Sequence, residues 1–221
     1  MKNHEKAKWS ILFILISIQS ALHAEDNPWK EIKRKNNITI QSREYSGSPI
    51  PELKATTELQ ANLSQIVNLL SNNKSCAEIY YQCKEVVLLS GTANSKNAIV
   101  YVRNGAPWPV NDRDVIMNRS FDQNPKSKTV TITLAKTDSI SKLSPSGVTR
   151  MDSFQAVWKL TPTQNGKISL EYRTHFEPGG SIPESLIKLS LADNPYNTIL
   201  NLKNATEEGK SEDSKFDWIM E

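Results

Sequence analysis

The chain has 221 residues and a formal net charge of +3, from 27 Lys and Arg against 24 Asp and Glu. So mild a positive balance leaves no electrostatic footprint for nucleic acid, and two cysteines are too few for a disulfide-built scaffold. Beyond residue 24 the chain has the size of one domain, long enough to enclose a core or a cavity.

Residues 1–24 have the parts of a secretory signal peptide. Lys2, Lys6 and Lys8 form a positive start, Trp9 to Ile18 is an apolar run, and Ala24 offers a small residue at the cut. The run is too short to span a bilayer comfortably, and no later segment is more apolar, so an exported and soluble chain is expected. The bacterial periplasm is the preferred compartment. Cys76 and Cys83 then lie in an oxidising environment, which favours a bond between them. On one straight helix seven residues would hold them about 10 Å apart, beyond the ~7 Å reach of a disulfide. A bond therefore requires a bend between them; the alternative is two buried thiols.

Asn27-Pro28 opens a short helix over Trp29 to Lys35, whose Lys30, Lys33, Arg34 and Lys35 read as its solvated face. Strands follow over Asn37 to Tyr45 and Leu53 to Leu59, separated by the turn-rich Ser46 to Pro51. Leu63, Ile66, Val67 and Leu70 recur at helical spacing, and a second short helix or turn covers Ser75 to Gln82. Strands come next in quick succession, over Glu85 to Leu89, Ala98 to Arg103, Val115 to Phe121, Thr129 to Ala135, Val148 to Leu160 and Lys167 to Phe176. After Pro178-Gly179-Gly180 the longest helical pattern runs to about Ala205, with Pro195 expected to kink or divide it near Asn194. Residues 207–221 are polar and charged and read as a disordered tail, with a late aromatic pair at Phe216 and Trp218.

One strand carries a tension. In Val115 to Phe121 the period of two puts Val115, Met117, Arg119 and Phe121 on one face. A charge on a dry face is costly unless it is paired or meets a ligand, so Arg119 is either a structural bridge to a buried acid or a ligand contact. Arg150 raises the same question beside Phe154 and Trp158, with Asp152 as a same-face neighbour.

Three segments carry a resemblance. Trp108-Pro109-Val110-Asn111-Asp112-Arg113-Asp114 looks like a W-P-x-x-x-R-D turn, Trp158 to Pro162 like a W-x-L-x-P strand end, and Pro178 to Pro183 like a P-G-G-x-[IL]-P approach to a last helix. In that order and spacing the chain resembles the START (steroidogenic acute regulatory protein-related lipid transfer) domain family, within the helix-grip superfamily, over about Trp29 to Thr206. The resemblance implies an α+β fold in which a curved antiparallel sheet wraps a long C-terminal helix around a hydrophobic tunnel, giving a START-like domain over residues 25–206. It departs from the family's pattern where Ile79-Tyr80-Tyr81 stands in place of a frequent tryptophan.

What the resemblance implies for function is one lipid or other hydrophobic small molecule held in the tunnel, with transient membrane contact for its exchange. Its walls would be Val115, Met117, Phe121, Phe154, Trp158, Tyr172 and Phe176, closed from the helix by Leu186, Ile187 and Leu189, with Arg119 and Arg150 as polar contacts. Trp108, Pro109, Arg113, Asp114, Gly179, Gly180 and Pro183 would be structural. The alternatives are a START-like enzyme of cyclase or hydrolase type and a ligand-free envelope interaction module. Beyond the leader only His175 remains as a histidine, on a face with Glu171 and Arg173 that reads as solvated. No G-x-S-x-G, H-E-x-x-H or metal-ligand spacing occurs, so neither enzymatic activity, cofactor nor metal is expected. Nucleic acid is not expected as a partner, and a monomer is.

Overall fold

The computed structural model describes residues 27–182, 187, 191–210 and 216–221. The signal peptide and the roles of Pro183, Leu186 and Leu189 lie outside the described residues. Ten strands form one sheet: β1 (Lys30–Lys35), β2 (Ile38–Tyr45), β3 (Ser48–Leu59), β4 (Cys83–Ser90), β5 (Asn97–Asn104), β6 (Asp112–Gln123), β7 (Val130–Lys136), β8 (Val148–Arg150), β9 (Ser153–Pro162) and β10 (Ile168–Glu177). Their order is β1-β2-β3-β10-β9-β7-β6-β5-β4. Every pair is antiparallel except β8, which lies parallel to the start of β6. Helices α1 (Leu63–Ser71) and α2 (Cys76–Ile79) interrupt the strands, and α3 (Asp193–Glu207) follows them.

Lys30–Lys35 is a strand, not the expected helix. Asn36 and Asn37 both take positive φ, 53° and 60°, which is the backbone of a two-residue hairpin loop. That loop folds the basic segment back along β2, Lys35 opposite Ile38 and Lys30 opposite Ser42. The lysines then mark a sheet edge, where they discourage further strand pairing. Strand β3 also begins earlier than the sequence suggests, because only Ser46-Gly47 turns and Ser48 already pairs with Tyr45.

Helix α1 starts with a capping box: Asn62 accepts from the Gln65 N–H at 2.8 Å, and the Gln65 side chain accepts from the Asn62 N–H at 3.1 Å. Helix α3 buries Tyr196, Ile199, Leu202 and Ala205 against α1, α2 and strands β2 and β3. Of the two outcomes expected for Pro195, a kink or a division of the helical pattern, the described residues show division: Ile187 is helical, residues 191–192 form a turn, and α3 starts at Asp193. Pro195 occupies the first turn, where the missing N–H has no intrahelical partner to lose. Cys76 and Cys83 are bonded, with Cα atoms 5.6 Å apart. The required bend lies at Tyr80 to Gln82, where α2 ends and Gln82 takes φ +62°.

The expectation of a disordered tail does not hold for residues 216–221. Phe216 is buried in the main core, and the Trp218 ring packs 5.3 Å from that of Phe121. Gln123 and Met220 exchange hydrogen bonds at 2.7 and 2.8 Å. The Glu221 carboxylate accepts the Leu63 and Ser64 N–H groups at 2.8 and 2.9 Å, at the free donors that open α1. Phe216, Trp218 and Ile219 supply the apolar area that a polar tail would lack.

Candidate ligand-binding site

The concave face of the sheet and the helices facing it enclose a cavity of about 480 Å³. Its floor is apolar and comes from alternating positions of adjacent strands: Val100 and Val102 of β5, Val115 and Met117 of β6, Leu134 of β7. Phe154 of β9 and Tyr172, Thr174 and Phe176 of β10 form a side wall. Tyr80, the disulfide and Ile187, Leu191 and Thr198 close it from the helical side. The phenol of Tyr80 donates to Leu70 O at 2.7 Å, and burial pushes its ionisation upward. Burial likewise raises Tyr172 to about 12, so both phenols stay neutral.

Arg119 lies at one end of this space, buried. One terminal nitrogen donates to Ser71 O at 2.9 Å, the last residue of α1, and the other to Thr92 O and Ala93 O at 3.2 and 3.1 Å. Its guanidinium sits 5.1 Å from the Phe121 ring centroid, and its Nε has no hydrogen-bond partner among the described residues. Burial lowers its pKa, the Tyr80 phenol opposes that shift, and no carboxylate contributes. The expected alternative of a buried acid is therefore not what this side chain meets. Backbone carbonyls, including the partially negative end of a helix, hold the cation.

At the other end, Gly105 to Pro107, Val110, Pro178 and Ile182 rim the cavity. Arg113 ties these two rims together, donating to Asn111 O, to Pro178 O at 3.2 Å and to Gly179 O at 3.1 Å. Asp114 faces the opposite side of β6, fully buried, and takes Arg150 Nε at 2.6 Å and the Ser144 hydroxyl at 3.0 Å. Burial alone would raise the Asp114 carboxyl, but the Arg150 and Ser144 hydrogen bonds outweigh it and hold the group below its ordinary value. Gly179 takes φ +68°, and a Cβ there would stand 2.5 Å from Arg150 O, so only glycine fits.

No family model matches the chain. An uncharacterized protein of Pseudomonas aeruginosa is 28% identical over 184 residues, spanning 83% of this chain and 88% of that protein. Among solved structures, a fragment (25–204) of the STAR-related lipid transfer protein from Xanthomonas axonopodis has a TM-score of 0.73 at 24% identity, covering 81% of this chain and 98% of that one. Human StAR-related lipid transfer protein 5 has a TM-score of 0.74 at 11% identity, covering 83% and 88%. Human STARD10 has a TM-score of 0.67 at 16% identity, covering 82% and 75%. The chain has the START-like helix-grip fold.

Within this START-like fold, Val115, Met117, Arg119, Phe154, Tyr172, Phe176 and Ile187 all reach the cavity. Three expected contacts do not. Phe121 shares the face of Met117 but lies beyond Arg119, under Trp218. Trp158 is fully buried in filled core, stacked on Tyr172 with centroids 4.0 Å apart. Arg150 is spent on Asp114 and on Lys142 O, outside the cavity, and its partner is not Asp152. Trp108, expected as a structural residue, is 93% exposed and packs on nothing that could hold the turn. His175 is not on a solvated face: it is 3% exposed, stacked on Tyr45 with centroids 3.6 Å apart and hydrogen-bonded to Ile50 O at 3.1 Å. The sequence reading missed Val100, Val102 and Leu134, although the same period of two marks them. It also missed the carbonyl clamp on Arg119, for which backbone acceptors leave no residue signature.

Proposed function

We propose that the chain is an exported lipid-binding module that holds one lipid or other hydrophobic molecule in its internal cavity and hands it to or from a membrane. The observation that carries this reading is the unfilled apolar space itself. A volume of about 480 Å³ lies within the range of small-molecule sites, and an empty void of that size lined by Val, Met, Leu and Phe would otherwise forfeit packing. An apolar chain entering it gains roughly 0.8 kcal/mol per buried CH₂. Arg119 supplies the polar end of the site, orienting a headgroup beside its carbonyl clamp. Export is supported by the Cys76–Cys83 bond, which persists in oxidising compartments.

Binding rather than catalysis is the better reading of this cavity. His175 lies on the opposite face of β10 from Tyr172 and Phe176, and Asp193, the acid at the rim, is engaged by Lys33 at 2.7 Å. Native mass spectrometry of protein purified from its export compartment, followed by denaturing lipid extraction, tests the proposal. A stoichiometric mass excess that leaves on denaturation and matches a lipid is expected. Bare protein that takes up no lipid from envelope extracts would overturn it.

A further inference from the structure

The Cys76–Cys83 bond is built into the wall of the cavity. Both residues line that space, and each is only 6% exposed. The bond joins the two sides of the site: Cys76 opens α2 on the helical side, and Cys83 opens β4 at the edge of the sheet. Neither element holds this corner unaided. Helix α2 is one turn long, too short to persist by itself, and β4 is the last strand of the sheet, paired with β5 alone. Several parts of the site hang on this corner. Tyr80, which closes the cavity, lies inside the loop that the bond closes, as does Tyr81, whose N–H donates to the Thr198 hydroxyl of α3 at 3.1 Å. Ser71, whose carbonyl holds Arg119, is joined to Cys76 along the chain by Asn72 and the single turn Asn73–Ser75. Asn104, the partner of Cys83 in the sheet, also lines the cavity.

We propose that this bond is a redox latch on the cavity: the oxidised chain retains an apolar ligand, and reduction of the bond releases it. The latch rests on the ligand-carrying reading of the cavity. Reduction begins with a thiolate attacking one sulfur. Both cysteines line the cavity, so a small dithiol reaches them through the space that a ligand fills, and an occupied cavity slows the attack. The equilibrium effect comes from the wall. A ligand meets an ordered Tyr80 and an intact Arg119 clamp in the oxidised chain, so it binds that form more tightly and, by linkage, stabilises the bond by the same factor. The exchange balances. The dithiol gives up two hydrogens and two electrons and leaves as its own disulfide, while Cys76 and Cys83 become two thiols. The reverse exchange, with an oxidised dithiol, closes the latch, which suits a chain that acquires its bond on export. The rest of the fold stands without it. Helix α1 carries its own capping box and α3 packs on β2 and β3, so reduction opens one corner locally and leaves the sheet folded.

The test uses the purified chain, the neutral fluorophore N-phenyl-1-naphthylamine as apolar probe, and dithiothreitol as the dithiol. Reduction is followed by trapping free thiols with iodoacetamide and weighing the intact protein. Saturating probe is expected to slow reduction about tenfold, and the chain held in reductant should bind the probe about tenfold more weakly, a factor typical of coupled sites. The C76A/C83A variant should bind as weakly as the reduced chain and ignore the reductant. Far-UV circular dichroism of the same samples should keep its sheet signal. Equal affinity in the oxidised and reduced forms, or reduction as fast with probe as without it, overturns the latch and leaves the ligand-carrying reading standing. A reduced chain that loses its sheet signal also overturns it, because the bond then holds the whole fold. A protein that binds the probe in neither form and carries no lipid by native mass spectrometry removes the carrier reading, and the latch with it.

Discussion

Asp114 has no exposed surface, so its charge depends on Arg150 and Ser144. Asp114→Asn leaves Arg150 without its partner and should cost about 3 kcal/mol of stability, as broken buried pairs do, read as a lower urea midpoint near neutral pH. The pH dependence has a definite sign. The folded-state carboxyl lies below its ordinary value, so the pair's contribution is fully present above the unfolded value of about 4 and is lost as pH falls through the lower, folded value. The wild type should therefore lose more stability than the variant between neutral and acid conditions; parallel curves would show that the pair contributes nothing. Met117 tests the cavity in a different way. In a filled core Met117→Trp would overpack and cost about 1–3 kcal/mol. Beside open space of about 480 Å³ it should instead leave the melting temperature of the ligand-free protein near that of the wild type while sharply lowering ligand stoichiometry.

At the scale of elements, β6 and β10 alternate only over part of their length, since Arg113 to Met117 and Thr174-His175 are buried on both faces, whereas β9 was legible because Ala156, Trp158 and Leu160 are dry while Gln155 and Lys159 between and beside them are wet. Strand β1 was not, because Lys30–Lys35 buries almost nothing and its state is decided by the Asn36-Asn37 backbone and by β2. The same logic decides between the kink and the division expected at Pro195: a proline breaks a helix interior but suits a first turn, so the pattern divides just before it and α3 begins at Asp193. The element with the sharpest expected response is the loop closed by Cys76 and Cys83. It carries the Tyr80 wall of the cavity and contacts α3 through the Tyr81 N–H, which donates to the Thr198 hydroxyl at 3.1 Å. Closing so short a loop is worth about 2.5 kcal/mol in the chain-entropy view. Replacing both cysteines by alanine should lower stability by about that amount, and adding reductant to the wild type should lower its midpoint similarly while leaving the double variant unmoved. A wild type insensitive to reductant would show that the bond adds no stability.

For the molecule as a whole, the period of two identifies which face of a strand looks inward but not how far along that face the cavity extends. Met117, Arg119 and Phe121 are equivalent by pattern, yet only the first two reach the cavity, because residues 216–221 return to cover the third. The chain thus closes its far end with its own last segment, almost 100 residues away in sequence from the β6 residue it pairs with, Gln123. Such long-range closure leaves little local signal. It also makes a quantitative claim. Phe216 is buried in the same core as Leu63 and Ile66, so Phe216→Ala should destabilise by about 3 kcal/mol through the void it leaves. Glu221→Ala removes the acceptor of two opening N–H groups of α1 and should cost about 1 kcal/mol, the scale of a lost helix cap. Both losses should appear as lowered midpoints in chemical denaturation. Hydrogen exchange in the same variants should quicken at the start of α1 and along the Gln123 end of β6, where the segment is anchored. If Phe216→Ala melts like the wild type and α1 exchanges no faster, the segment is a passive tail and the far end of the sheet is held by the strands alone.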